Sequence, residues 1–237
     1  METRTASEQR LSYNHCRNYQ LANHHKPTHQ WQNTVSLIEV AADDLTLEYY
    51  NQNAISYDLR TSSLALHRPW SEFTSRVPQG GSILDIGCGP GRDIAYFLSL
   101  GFEVDGVEPA KEVAAIARTR TKTVIYECTA ENLHINKFYD GVWACASLLH
   151  VAPPNMSKVL SLVSDRLKRN GVFYFSVKRG EGEVRKPDGR LFYNYRQSEL
   201  VSIIANQLEL VVVDSWESAS SDISEKMIWL NFIVAKR

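Results

Sequence analysis

From Asp44 onward the apolar positions alternate between two spacings, and the alternation predicts helices and strands in turn. TLEYYNQNAISYDLRTSS sets Leu47, Tyr50, Ala54 and Tyr57 at steps of three and four, which predicts one helical face. HRPWSEFTSRV reads as a second short helix with Pro69 near its start. SILDIG then reads as a buried strand, and GRDIAYFLSLG as a helix stopped by Gly101. FEVDGVE predicts a strand, AKEVAAIARTR a helix, and KTVIYEC and YDGVWAC two further strands. PNMSKVLSLVSDRLKRNG predicts a helix with Asn155 as N-cap and Gly171 at its C-terminal stop. GVFYFSV is the fifth strand, RGEGEVRKPDGR a polar loop, and QSELVSIIANQ another helix. ELVVVDSW and MIWLNFIVAK are the last strands, joined by the short polar SASSDISEK, which predicts an antiparallel hairpin at a sheet edge. The expected fold is α/β: a mostly parallel seven-stranded sheet with helices on both faces. No internal repeat is visible.

Residues 1–40 stand apart from this pattern. They are rich in His, Asn, Gln and Thr and read as a poorly ordered or appended N-terminal segment before a functional domain over 41–237. His24, His25 and His29 lie close together there, along with His15, but no nearby Cys or acidic cluster completes a metal site, and none is expected. Cys16, Cys88, Cys128 and Cys145 show no C-x-x-C spacing, which points to a reducing compartment. The polar start METRTASEQR has no apolar core of a secretory signal, and no run is long enough to span a membrane. The expectation is a cytoplasmic protein without a membrane partner. With 26 basic against 27 acidic residues, no global field draws the chain to nucleic acid.

ILDIGCGPGRD, Ile83 to Asp93, holds the most informative chemistry. Gly87, Gly89 and Gly91 sit between a buried strand and a helix, where the backbone can turn sharply and approach a ligand. The helix start offers free N–H groups. Asp85, two residues earlier, would repel a pyrophosphate and attract the ammonium of a methionine moiety. Arg92 stands where the dinucleotide pattern G-x-G-x-x-G needs its third glycine for close packing. Both departures favour S-adenosylmethionine (SAM) over NAD. Glu108 ends the second strand 21 residues after Gly87, where an acidic side chain can accept from ribose hydroxyls.

ILDIGCGPGRD, VDGVEPA, CTAENL and FYDGVWACASLLHV, in that order, resemble the successive motifs of class I SAM-dependent methyltransferases. The resemblance spans Ile83 to Val151 and is strongest to small-molecule enzymes of the ubiquinone-biosynthesis and tellurite-resistance types. It implies a Rossmann-like class I methyltransferase fold with SAM as cofactor. It further implies that Asp85 serves the amino group, that Glu108 holds the ribose, and that Thr129, Ala130 and Glu131 flank the adenine. Gly87, Cys88, Gly89, Gly91, Pro109 and Ala146 complete the implied cofactor set. Many relatives carry Asp where this chain has Thr129, so the adenine amino group would fall to the Thr129 hydroxyl or to Glu131.

SAM brings its own electrophile, so the protein chiefly positions a nucleophile and excludes water. A base is needed only where the acceptor loses a proton early. His150, just after the fourth strand, is the titratable candidate base, with a packing role as the alternative. Pro153-Pro154 precede Asn155, the reverse of the Asn-Pro-Pro-aromatic order used on amino groups of bases. Tyr50 and Tyr57 are candidates for the acceptor pocket or the SAM carboxylate, with core packing as the alternative. Arg92 either approaches that carboxylate or is a solvated helix-start residue. The segment from Lys178 to Tyr195 mixes cations and aromatics, and resembling enzymes use a similar Gly-Arg-aromatic run to roof the acceptor. Lys178, Arg190 and Tyr193 are its acceptor candidates, suited to a planar or anionic small molecule or to a nucleotide.

The expected function is methyl transfer to an O, N or S atom of a small-molecule acceptor. An RNA or protein methyltransferase, a non-catalytic SAM-binding regulator and, last, an NAD-dependent oxidoreductase are the alternatives.

Overall fold

Ser82–Ile86 is buried at all five positions and forms β1, as a strand covered on both faces requires. The structure, a computed structural model, describes residues 43–220 and 227–237. The 1–40 segment with its histidines and Cys16 lies outside the described residues. Three helices precede the sheet: α1 (Asp44–Gln52), α2 (Ala54–Thr61) and α3 (His67–Thr74). After β1 come α4 (Arg92–Ser99), β2 (Glu103–Val107), α5 (Lys111–Thr121), β3 (Ile125–Tyr126), β4 (Tyr139–Cys145), α6 (Pro153–Arg166) and β5 (Leu167–Arg179). The chain ends with β6 (Glu183–Arg185), β7 (Leu191–Tyr195), α7 (Gln197–Ala205), β8 (Leu210–Ala219) and β9 (Ile228–Lys236).

The main sheet runs β3-β2-β1-β4-β5 with every neighbouring pair parallel. β9 lies antiparallel against β5 and pairs antiparallel with β8, so the last two strands form the expected hairpin. Leu84, Ile86, Val142 and Phe173 pack on one face with Met156, Val159, Leu160 and Val163 of α6. Ile83, Trp143 and Tyr174 pack on the other with Trp70 and Phe73 of α3 and Ile94 and Phe97 of α4. The helices thus cover both faces, and the strand order reverses between β1 and β4, where open α/β sheets leave a crevice.

Three local expectations are corrected. The single face from Leu47 to Tyr57 is carried by two helices, because Asn53 leaves helical geometry at φ −110°, ψ 17° and its side chain donates to the Tyr49 carbonyl at 2.9 Å. Asn155 is not an N-cap: α6 begins at Pro153 with Ala152 as cap, where the missing proline N–H costs nothing. Gly171 does not stop that helix but lies within β5, where an added Cβ would sit 2.9 Å from the Lys168 carbonyl and 3.1 Å from that of Asp140. The polar loop after the fifth strand also contains structure, because β6 and β7 pair as a hairpin that β7 joins to the end of β5.

Candidate cofactor and active site

The turn after β1 and the loop after β4 are packed against each other. Gly87 has φ +69°, and a Cβ there would fall 2.3 Å from the Cβ of Ser147. The Ser147 hydroxyl donates to the Ile86 carbonyl at 2.6 Å, while the Gly87 and Cys88 N–H groups both donate to the Val107 carbonyl at the end of β2. Ala146 adopts φ +53°, and its N–H is held by the Ser176 hydroxyl at 3.0 Å. The strand ends are therefore fixed by backbone bonds and by the Ser147 and Ser176 hydroxyls, as a preformed site requires.

Glu108 stands at the tip of β2. One carboxylate oxygen accepts from the Gly89 N–H at 3.0 Å and the other from the Ala110 N–H at 2.9 Å. Burial raises its pKa to about 7, against the pull of those two bonds. Each oxygen keeps a second lone pair for a further donor.

Asp85 lies beneath the glycine turn, 2% exposed, and its Oδ2 has no hydrogen-bond partner. Burial, and then the Asp93 carboxylate nearby, push its pKa well above the usual range. Asp93 itself is fully engaged, accepting from the indoles of Trp70 at 3.1 Å and Trp143 at 2.9 Å and from two nitrogens of Arg92 at 2.8 Å. Arg92 is thus a mostly buried ion-pair partner, 17% exposed, rather than a solvated helix-start residue. Burial works against its charge, but Asp93 more than compensates and keeps it protonated.

A cavity of about 100 Å³ opens above these strand ends. Gly87, Glu108, Pro109, Thr129, Ala130, Glu131 and Ala146 of the implied cofactor set line it. Asp85, Cys88, Gly89 and Gly91 lie behind that lining, with the Tyr57 ring 3.4 Å from where a Gly89 Cβ would stand. Glu131 is 8% exposed, and burial raises its pKa.

α1 and α2 roof the cavity with Asp43, Thr46, Leu47, Tyr50 and Tyr57. His150 also lines it, with Nδ1 2.7 Å from the Leu191 carbonyl and Nε2 3.1 Å from the Tyr50 hydroxyl. Burial lowers the His150 pKa to about 4 and raises that of Tyr50 to about 12. Lys178, Arg190 and Tyr193 stand outside the lining. Lys178 lies over the Phe192 ring at 3.9 Å, and Arg190 lies over Tyr49 at 4.2 Å while pairing with Asp188. Sequence reasoning missed Asp43 and Thr46, which line the cavity without a motif to mark them, and did not single out Cys128, Ser147 and Leu148 within the motifs that contain them. Among the described residues no cluster of three or more His, Cys, Asp or Glu could hold a metal, and no helix is long and apolar enough to cross a membrane.

The family model described as a methyltransferase domain matches residues 83–171. Among solved structures, 1,6-didemethyltoxoflavin-N1-methyltransferase of Burkholderia thailandensis is 22% identical with a TM-score of 0.64, the match covering 83% of this chain and 91% of that one. Magnesium protoporphyrin IX methyltransferase from Synechocystis is 13% identical over 84% of this chain and 99% of its own, TM-score 0.59. A SAM-dependent methyltransferase from Clostridium acetobutylicum is 18% identical over 79% and 98%, TM-score 0.60. At these identities the likeness carries the fold. Fold, site and the domain match over residues 83–171 together support a class I SAM-dependent methyltransferase. The matched residues run from β1 into β5, and the match supports S-adenosylmethionine as the cofactor.

The residues present fit that cofactor. The unpartnered Asp85 oxygen suits an ammonium, and the spare lone pairs of Glu108 suit ribose hydroxyls.

Proposed function

We propose that the chain methylates an O, N or S atom of a small-molecule acceptor by direct in-line displacement. The carrying observation is the orphaned Asp85 oxygen beneath the glycine turn, with Glu108 at the next strand tip. In this reading Asp85 holds the amino group of SAM and Glu108 the ribose. Thr129, Ala130 and Glu131 flank the adenine, while Gly87, Cys88, Gly89, Gly91, Pro109 and Ala146 shape the bed. SAM supplies an activated methyl group on sulfur. The chain orients the acceptor from the Tyr50, Tyr57 and His150 side and excludes water under α1 and α2.

A small acceptor is supported by the narrow roofed cavity and by the small-molecule substrates named for the two similar enzymes. A nucleic-acid acceptor is less well supported, because Lys178, Arg185 and Arg190 are engaged with rings and carboxylates of the chain itself. Steep salt dependence of acceptor binding would favour it. Cys88, Cys128 and Cys145 are in no disulfide among the described residues, which suits a reducing compartment such as the cytoplasm.

Calorimetry with SAM, S-adenosylhomocysteine (SAH) and NAD tests the cofactor assignment. Tight binding of NAD without SAM would overturn it. A mass-spectrometric screen for metabolites gaining one methyl group then identifies the acceptor, and gain of methyl only on RNA or protein would overturn the small-molecule reading.

A further inference from the structure

Tyr50 and His150 form a hydrogen-bonded chain with a defined direction. The Leu191 carbonyl can only accept, so the His150 nitrogen 2.7 Å away, Nδ1, must carry the proton. A neutral imidazole then has a lone pair on Nε2, and the Tyr50 hydroxyl at 3.1 Å must donate to it. The single proton of Tyr50 is thereby committed inward. Its oxygen stands on the cavity wall, where one lone pair accepts from Arg190 and the other is left to offer.

We propose that Tyr50 is a catalytic residue that receives the acceptor's proton, with His150 as the positioning residue and proton store behind it, and that the acceptor atom is therefore an O–H or N–H group. This rests on the methyltransferase reading above and narrows its acceptor class. A tertiary amine or a thioether would set its lone pair against that of Tyr50 and find no partner there. An O–H or N–H group donates to Tyr50 and is held with its own lone pair free to attack.

The proton balance closes within the site. The acceptor atom forms its new bond to the methyl group as the S–CH3 bond breaks. Its proton passes to the Tyr50 oxygen while the Tyr50 proton passes to His150 Nε2. A positive charge disappears from sulfur as one appears on the imidazole, so the buried site keeps its net charge. The groups facing the pair are Tyr49 and Asp43 beside α1, Tyr57 of α2, Glu108, Lys178 of β5, and Arg190 and Phe192 of the hairpin. Burial, with Lys178 and Arg190, disfavours the imidazolium, so the chain is neutral at rest. Arg190 pulls the Tyr50 phenol the other way, toward releasing its proton. So weak a base suffices when the proton leaves late, because a methylated oxonium or ammonium is far more acidic than the free acceptor.

Two measurements on the full chain test this. In 15N-histidine NMR, His150 is expected as the neutral Nδ1–H tautomer from pH 7 to pH 5, and Tyr50→Phe shifts Nε2 while leaving Nδ1 protonated. An Nε2–H tautomer or an imidazolium at pH 7 overturns the proposal. In the SAH complex, phenol is expected to bind roughly three- to tenfold more tightly than anisole, one net hydrogen bond's worth, and Tyr50→Phe to erase the difference. Equal affinities, or no binding of phenol, overturn it while leaving the methyltransferase reading intact. Failure of SAH itself to bind would instead sink that reading, and the tautomer would still judge the relay.

Discussion

Glu108 accepts the backbone N–H of Gly89 at 3.0 Å, so one carboxylate ties the tip of β2 to the glycine turn after β1. Its other oxygen holds the Ala110 N–H at the start of α5. Replacing it would therefore remove the proposed ribose acceptors and loosen the turn together. Glu108→Ala is expected to weaken SAM by roughly 1.5–3 kcal/mol, the scale of bonds to a charged group. Glu108→Gln separates the two parts, because its amide keeps one acceptor but turns a donor toward a backbone N–H. Calorimetry on both variants reads the loss, and unchanged affinity in Glu108→Ala would remove this residue from the cofactor site.

Asp85 gives a prediction with opposite signs for binding and stability. Burial and Asp93 hold its pKa well above the usual range, so the folded protein keeps a proton where an unfolded chain has lost it. Stability then falls as pH rises from about 4, the unfolded value, toward the folded one. Asp85→Asn removes that cost: it should melt higher than the parent at pH 8 and converge with it near pH 4. Each kcal/mol of relief is worth about 2–4 °C for a chain of this size. Binding an ammonium demands the ionised carboxylate, so SAM should release a proton and bind more tightly as pH rises. Heats compared in phosphate and Tris buffers measure that release. Equal heats, together with unimpaired SAM binding by Asp85→Asn, would take the amino group away from Asp85.

The sheet was legible because buried strands and amphipathic helices leave different apolar spacings, and β1 through β5 follow them. β6 and β7 were hidden because their pairing is local and partly solvent-exposed, with all of Glu183–Arg185 exposed. The kink at Asn53 was hidden because it preserves the helical face. In the site, glycines and acidic strand tips have motif spacing that reflects backbone needs. Ser147 does not: its hydroxyl bond to Ile86 joins residues 61 apart in sequence, and only the folded sheet brings them together. The Tyr50–His150 pair, 100 residues apart, is of the same kind.

Asp93 anchors the wall behind the glycine turn. It neutralises Arg92 and receives both indole N–H groups, with all three partners in a low-exposure setting. Asp93→Ala leaves a buried guanidinium unpaired and two indoles without acceptors. Breaking a buried pair on one side costs about 3–5 kcal/mol. Urea unfolding should show a loss of that order, while a loss under 1 kcal/mol would mean that Arg92 escapes to solvent.

The roof of the cavity is held by contacts at its outer edge. Asp43 caps α1 through Thr46, and both Arg185 nitrogens reach it at 2.8 and 3.1 Å. The Leu191 N–H donates to the Thr46 hydroxyl at 2.9 Å, so the β6–β7 hairpin clasps α1. A cavity of about 100 Å³ is smaller than the ~300–1,000 Å³ of ordinary ligand sites, so cofactor entry is expected to displace α1 and α2. The Asp43–Arg185 pair is partly exposed, 25% and 43%, and such pairs contribute about 0–1 kcal/mol. Arg185→Ala should therefore leave the unfolding free energy within 1 kcal/mol of the parent. It should raise both the association and dissociation rates of SAH, because the clasp must open in each direction. Stopped-flow tryptophan fluorescence would follow both rates. Unchanged rates would mean that the roof opens elsewhere. In that case the edge between α2 and α5 is the next to test, because Arg120 there bridges Asp58 to the Pro90 carbonyl of the glycine turn.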